Sequence, residues 1–270
     1  MKYENLTRFN DEEFKRLVGV PRPLFLKMVS VLQHAELAKK KSGRPHSLCL
    51  EDQLLLTLNY LRCYRTQIEL SADYNLAESN VNRTIQKVEN ALIQSRIFAL
   101  PKRNQKFNEG DYVIVDVTES QIERPKKQRK FYSGKKKKHT LKTQVIFNPQ
   151  LKQIVSIQIE DGRKHDLNIA RKHLKEMIIY PYIMADLAYK GFHQIKSKLL
   201  IPIKQPNNLS LPQIAKQINQ EISRRRITIE HINGKLKHFR ILTERHRNRR
   251  KRFGLRMNLI AGMVNWMLLN

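Results

Sequence analysis

Cysteine is nearly absent from the chain: Cys49 and Cys63 are the two in 270 residues. On what reads as a single helix, their spacing suits neither a zinc site nor a disulfide framework, so both are expected to be small buried hydrophobes. No run of 18 apolar residues occurs, and Leu259 to Leu269 is too short and too interrupted by polar residues to span a bilayer. The N-terminus, Met1-Lys-Tyr-Glu-Asn-Leu-Thr7, lacks the apolar core of a signal peptide, and no basic amphipathic segment is long enough to anchor the chain. These absences predict a soluble, cytoplasmic protein without a membrane partner. The nine histidines include no i, i+4 pair with a third ligand nearby, which argues against zinc. Acid is scarce too. Against 52 Lys and Arg there are 24 Asp and Glu, and the net charge of +28 exceeds what solubility needs. That excess points to a polyanion, nucleic acid first and an anionic membrane surface second.

What is present divides in two. Residues 1 to 100 read as helices: Asn10-Asp-Glu-Glu13 has capping-box form, Pro21 and Pro23 punctuate a second helix, and Leu50, Leu54, Leu58 and Leu61 recur at helical steps after a basic linker at 39–45. Thr66-Gln-Ile-Glu69 is a second capping box, opening a short helix that turns at Tyr74-Asn-Leu76 into another. That pattern, over about 66–92, is a helix-turn-helix. In its second helix Val81, Ile85, Val88 and Leu92 form the inward stripe, leaving Asn80, Asn82, Arg83 and Lys87 outward, with side chains suited to base edges and phosphates. An ordinary three-helix bundle with a polar face fits the same pattern.

Pro101 to Gly110 is polar and aperiodic, marking a boundary that gives 1–100 as a helical DNA-binding domain and 101–270 as a second domain. The second opens on Asp111-Tyr-Val-Ile-Val-Asp-Val-Thr118, which reads as a strand with Val113, Val115 and Val117 on one face and Tyr112, Ile114 and Asp116 on the other. Strands follow at Leu141–Asn148 and Ile154–Glu160, then a helix from Leu167, an apolar run Tyr180 to Asp186, an edge strand interrupted by Pro202, and a long helix. On that helix, opening at Ser210-Leu-Pro-Gln213, Ile214, Ile218, Ile222, Ile229, Ile232, Leu236 and Phe239 mark the apolar side. This is the element order of a ribonuclease-H-like fold, making the whole chain α+β: an all-α helix-turn-helix domain, then a mixed-sheet domain.

Asp116 sits on an apolar face, and a buried carboxylate must be paired, protonated or bound to a cation. In such a sheet the first and fourth strands are neighbours, so Asp116 and Asp186 are expected to meet, and Glu230 on the last helix is the candidate third acid. Three carboxylates so placed repel unless divalent cations lie between them, and hard oxygen ligands select magnesium or manganese, two ions for an in-line phosphoryl transfer. Arg226 and Lys237, on the Glu230 stripe, are then expected to hold phosphates, and Gly234 to permit a close approach. Glu230 paired with Arg226, and Asp186 capping the next helix, satisfy the same residues without catalysis. Asp166 reads as the cap of the helix from Leu167, with an orienting role beside the acids as its alternative.

Residues 69–85 resemble the helix-turn-helix ahead of the catalytic domain in bacterial insertion-sequence transposases, except that Ala77 stands where Ser or Thr usually caps the second helix. Asp116-Val-Thr-Glu119, Phe131-Tyr-Ser-Gly-Lys-Lys136, Gly162-Arg-Lys-His-Asp166, Ala185-Asp186 and Arg226-x3-Glu230-x6-Lys237 resemble a DDE transposase of the insertion-sequence-five family. The resemblance implies an RNase-H-like domain with Asp116, Asp186 and Glu230 as catalytic, metal-binding acids. It also implies terminal inverted repeats and target DNA as partners, and a homo-oligomer that joins two DNA ends in the bacterial nucleoid. A metal-dependent nuclease without strand transfer, and an inactive DNA-binding descendant, are the alternatives. Ten Lys and Arg between 124 and 142, among them Arg124, Lys126, Lys127, Lys135 and Lys136, suit phosphate contacts beside the acids, and Phe131 or Tyr132 could stack on a displaced base. Arg245 to Arg252 is a second basic run.

Overall fold

The computed structural model describes residues 2–39, 46–101, 107–108, 110–207, 210–247 and 250–270, with the side chain of Lys196 excepted. The basic linker at 40–45, most of the expected boundary segment at 102–106 and 109, and part of the second basic run at 248–249 lie outside the described residues. Two compact units form: one from 1–99, 236–244 and 251–270, the other from 100–235 and 245–250.

The helical unit begins with α1 (Asp11–Val18), α2 (Arg22–Leu37), α3 (Leu50–Arg62), α4 (Gln67–Tyr74) and α5 (Glu78–Gln94). Both expected capping boxes form. Asn10 Oδ1 accepts from the Glu13 N–H at 2.9 Å while Glu13 accepts from the Asn10 N–H, and Thr66 and Glu69 repeat the exchange at α4. Asn75, in the left-handed region at φ 52°, turns α4 into α5, and Ala77 leaves the start of α5 without a side-chain cap. α3 is buried on almost every side from Asp52 to Leu61 and packs against α1, α2, α4 and α5, so its leucines serve the whole unit rather than one stripe. Each such fully buried aliphatic side chain contributes roughly 1.5–3 kcal/mol. The cysteines differ from expectation: they flank α3 as its N-cap and C-cap, where Cys49 is exposed and Cys63 half-buried, because helix ends face outward while the middle takes the core.

In the sheet unit β1 (Tyr112–Gln121) leads through α6 (Gln128–Phe131) and β2 (Tyr132–Ser133) to β3 (Lys138–Asn148) and β4 (Gln153–Asp161). Then come α7 (Asp166–Lys172), α8 (Leu174–Met177), β5 (Tyr182–Met184), β6 (Leu199–Leu200) and α9 (Gln213–Lys237). β1, β3 and β4 form the antiparallel meander, while β5 pairs parallel with β1 and β6 parallel with β5. The order β4-β3-β1-β5-β6, three antiparallel strands extended by two parallel ones, is the ribonuclease-H-like arrangement, with β6 at the edge and ending before Pro202. Val113 and Val115 pack with Ile146, Ala170, Met177, Ile183 and Tyr189 on the α7–α8 face. α9 meets the opposite face, where Arg225 lies over the Tyr112 ring. It starts at Gln213, the Lys216 N–H bonding to the Pro212 carbonyl, so Ser210 is not its cap. Ile214 and Ile218, expected on its apolar side, are 72% and 43% exposed; Ile222, Ile229, Ile232 and Leu236 carry the packing.

α10 (Phe253–Leu269) belongs to the helical unit, burying Met257, Leu259, Ile260, Met263 and Val264 and packing on α2 and α5. Gly262 permits its closest approach: a Cβ there would lie 1.8 Å from the Phe98 carbonyl oxygen. Glu89 of α5, 0% exposed, takes Arg252 on Oε2 and Arg256 on Oε1, each at 2.6 Å, and the Arg256 guanidinium lies 4.9 Å over the Tyr60 ring. Arg252 of the second basic run is therefore an internal counterion. Removing one partner of such a pair strands the other charge in the core. Glu89→Leu is expected to cost about 3–5 kcal/mol, read by chemical denaturation, with Glu89→Leu combined with Arg256→Met recovering part of the loss.

Candidate active site and nucleic-acid interface

β1 and β5 fix the two strand acids by register. Tyr112 pairs with Tyr182 and Ile114 with Met184, a constant offset of 70, and the same offset carries Asp116 to Asp186 two residues past the end of β5. Asp116 is half-buried on the α9 face of β1, while Asp186 heads a 3₁₀ turn at Leu187–Tyr189, its Oδ1 accepting from the Ala188 N–H at 3.0 Å. The capping role foreseen as an alternative for Asp186 is thus real, and it leaves the second carboxylate oxygen outside that bond.

On α9 the side chain that reaches Asp116 is Asn233, whose Nδ2 donates to Oδ2 at 2.7 Å. Arg226 brings its guanidinium to 4.0 Å from Oδ1, so it faces the acid and not Glu230. Glu230 itself is exposed, and Gly234 opens onto free space with nothing within 4 Å of a notional Cβ. At 100° per residue Glu230 stands about 60° around the helix from Asn233 and one turn before it. Sequence reasoning passed over Asn233; the signal was an amide in the seam of Ile229, Ile232 and Leu236, where a polar residue needs a buried partner.

Burial pushes the Asp116 carboxyl above its ordinary range; the Val117 N–H and Arg226 oppose the shift, and Asp186 and Asp166 add to it. Asp166 therefore shares the electrostatic neighbourhood. It is the first residue of α7 and not its cap: His165 caps, accepting from the Leu167 N–H, and the Asp166 carboxylate goes to Lys142 at 2.8 Å. Lys142 also approaches Glu119 at 4.0 Å, and Glu119 accepts from the Thr140 hydroxyl. Tyr189 lies beneath, its hydroxyl donating to Gln144 at 3.0 Å, with burial first and then Asp166, Asp186 and Asp116 pushing it well above its usual range.

Among the described residues no three His, Cys, Asp or Glu side chains lie together closely enough to hold an ion by themselves. The carboxylates nevertheless suit a hard divalent cation: Asp116 and Asp186 act on each other electrostatically, no sulfur or imidazole is in the group, and Asp116 is held by a buried amide, Asn233, whose own Oδ1 has no hydrogen-bond partner.

The outward face of α5 carries the expected polar residues, already engaged with one another. Asn82 donates to Gln67 at 3.1 Å and accepts from Gln86, and Arg83 donates to Asn80 at 3.2 Å, which pre-orients both pairs. Lys87 is an exception, its ammonium 2.9 Å from the Glu36 carboxylate and bonded to Gln53. In the β1–β3 connection Arg124, Lys126, Lys127, Lys135 and Lys136 are all exposed, whereas Lys130 and Lys142 pair with Asp161 and Asp166. Phe131 is buried under Arg250, whose guanidinium lies 4.1 Å over its ring, leaving Tyr132 as the exposed aromatic at 45%. Lys237 is exposed at the end of α9.

No helix among the described residues is long and apolar enough to cross a membrane. No solved structure matches the chain. A curated relative, "Probable transposase for insertion sequence element IS702" of Microchaete diplosiphon, is 42% identical over 272 residues, covering 99% of this chain and 99% of its own length. The family described as helix-turn-helix of DDE superfamily endonuclease matches residues 46–96, the span of α3 to α5, and the family described as DDE superfamily endonuclease matches residues 115–265. With a helix-turn-helix joined to that endonuclease region along one chain, the protein belongs to the DDE superfamily endonucleases, as a transposase of an insertion element.

Proposed function

We propose that this transposase binds the terminal inverted repeats of its element, cuts DNA there in a reaction dependent on magnesium or manganese, and joins the freed 3′ ends to target DNA. The observation that supports the reading is the β1–β5 register, whose offset of 70, continued two residues past β5, brings Asp186 to the position corresponding to Asp116, in a unit that also carries the exposed basic connection between β1 and β3. Asp116 and Asp186 would hold the cations, with Glu230 joining from α9 once ions and DNA are bound. Bound there, two divalent ions would supply Lewis-acid stabilisation of the charge that develops on the phosphate oxygens. Arg226 remains beside Asp116 to receive a phosphate, and Arg124, Lys126, Lys127, Lys135, Lys136 and Lys237 fix the duplex through its backbone. Asn80, Asn82 and Arg83 read base edges from α5. Lys87, tied to Glu36, orients that helix. Joining two ends calls for two or more copies of the chain on nucleoid DNA.

A DNA-binding descendant without cleavage draws support from one observation, the exposure of Glu230 away from Asp116. Cleavage of an end-containing duplex in magnesium separates the readings. Activity in the wild type that falls to background in Asp116→Asn and Asp186→Asn, with DNA binding kept, supports the transposase reading; equal absence of cleavage in all three supports the descendant.

Charge burial also leaves a mark on stability. Because the folded carboxyl of Asp116 takes up protons more readily than the unfolded one, whose ordinary pKa is 3.8, its penalty is absent at low pH and grows as pH rises through the raised value. Metal-free Asp116→Asn should therefore melt higher than wild type at neutral pH, the difference fading on acidification and gone below about 3.8. Replacing Lys135 and Lys136 by Ala should weaken binding to any duplex and lower the slope of log K against log salt by about 1 for each of the two lysines that neutralises a phosphate.

A further inference from the structure

The last helix of the sheet unit touches Asp116 through an amide. Asn233 is 7% exposed, donates from Nδ2 to Asp116 Oδ2 at 2.7 Å, and keeps its Oδ1 buried without a hydrogen-bond partner. Two turns earlier Arg226 lies 4.0 Å from Asp116 Oδ1, and its Nε is likewise buried and unpartnered. Open polar atoms of this kind are rare in a folded interior and are tolerated where something bound completes them. The two contacts also divide the carboxylate: Oδ2 belongs to the amide, and Oδ1 faces the guanidinium.

Each other side chain at 233 would do something different. A lysine would neutralise Asp116, an acid would repel it, and a leucine would leave Oδ2 without its donor. An amide fixes the carboxylate while leaving its charge available to a cation. We propose that Asn233 is a positioning residue of the metal site, which holds Asp116 through Oδ2 so that Oδ1 is presented to the bound ion. This rests on the metal-dependent reading above, and it does not require Glu230 to be a ligand. Hydrogen-bond partners of metal ligands act in this way, and removing one typically lowers metal affinity about 10–100-fold.

The test is Mn2+ binding by the full-length protein without DNA, followed by titration calorimetry, so that turnover plays no part. Asn233→Leu keeps the volume and removes the donor, and Asn233→Ala removes both; each is expected to weaken Mn2+ binding about 10–100-fold while melting in chelator shows a folded protein. Asn233→Asp is expected to weaken it too, since a second carboxylate cannot donate to Asp116 at neutral pH. Equal affinity in folded Asn233→Leu overturns the proposal, and tighter binding by Asn233→Asp overturns it in favour of a direct ligand at 233. Should the variants fail to fold, the wild type decides: the side-chain amide signal of Asn233 must move on Mg2+ addition, and a signal that stays fixed overturns the proposal. A wild type that takes up no Mn2+ removes the metal reading and this one together, whereas wild-type binding matched by Asn233→Leu removes this one alone.

Discussion

Keeping a carboxylate half-buried between β1 and α9 is the constraint around which the sheet unit is arranged. Asp116 loses hydration there, and what it receives in return is partial: one amide donor, one backbone N–H and a guanidinium at 4.0 Å, against two more acids nearby. A sequence built only for stability would place an apolar residue at 116, as it does at Ile114 on the same face. An acid so partly compensated is a position that stability alone does not account for.

Around that point the sheet separates its two faces by role. On the α7–α8 side Val113, Val115 and Ile183 build an apolar layer, crossed by a polar chain from Tyr189 through Gln144 and Gln158 to Glu176. On the α9 side the buried Ile229 and Ile232 are joined by polar contacts to β1: Arg225 over Tyr112, and Arg226 and Asn233 on Asp116. The first layer holds the strands in register, with the offset of 70 running from Tyr112 and Tyr182 to Ile114 and Met184. The second adds to the apolar packing of α9 hydrogen bonds and charge, which respond to ions in a way that packed methyl groups do not.

Much of this was legible in the residues. Two capping boxes, the alternation along β1 and the short apolar run before Asp186 each rest on local chemistry with one good solution, and they led to the strand order. Features that depend on which side of a helix meets what were less visible. Glu230 and Asn233 differ by about 60° on α9, too small an angle for periodicity to choose between them. Ile214 and Ile218 continued the apolar spacing of α9 yet found no cover, since spacing states which side is apolar and not where the neighbouring layer ends. Asp166 had the composition of a cap, and Lys142 claimed it. Glu89, inside the stripe of Val88 and Leu92, could be recognised as a core charge only once Arg252 and Arg256, more than 160 residues later, were seen beside it.

That last pairing makes one helix depend on another far along the chain. Unless α10 is docked, Glu89 has no counterion and α5 lacks one of the helices that pack against it. The helix carrying Asn80 and Arg83 is then without part of its core. A change that undocks α10 is therefore felt on α5 as a stranded core charge, far along the chain from where the change was made.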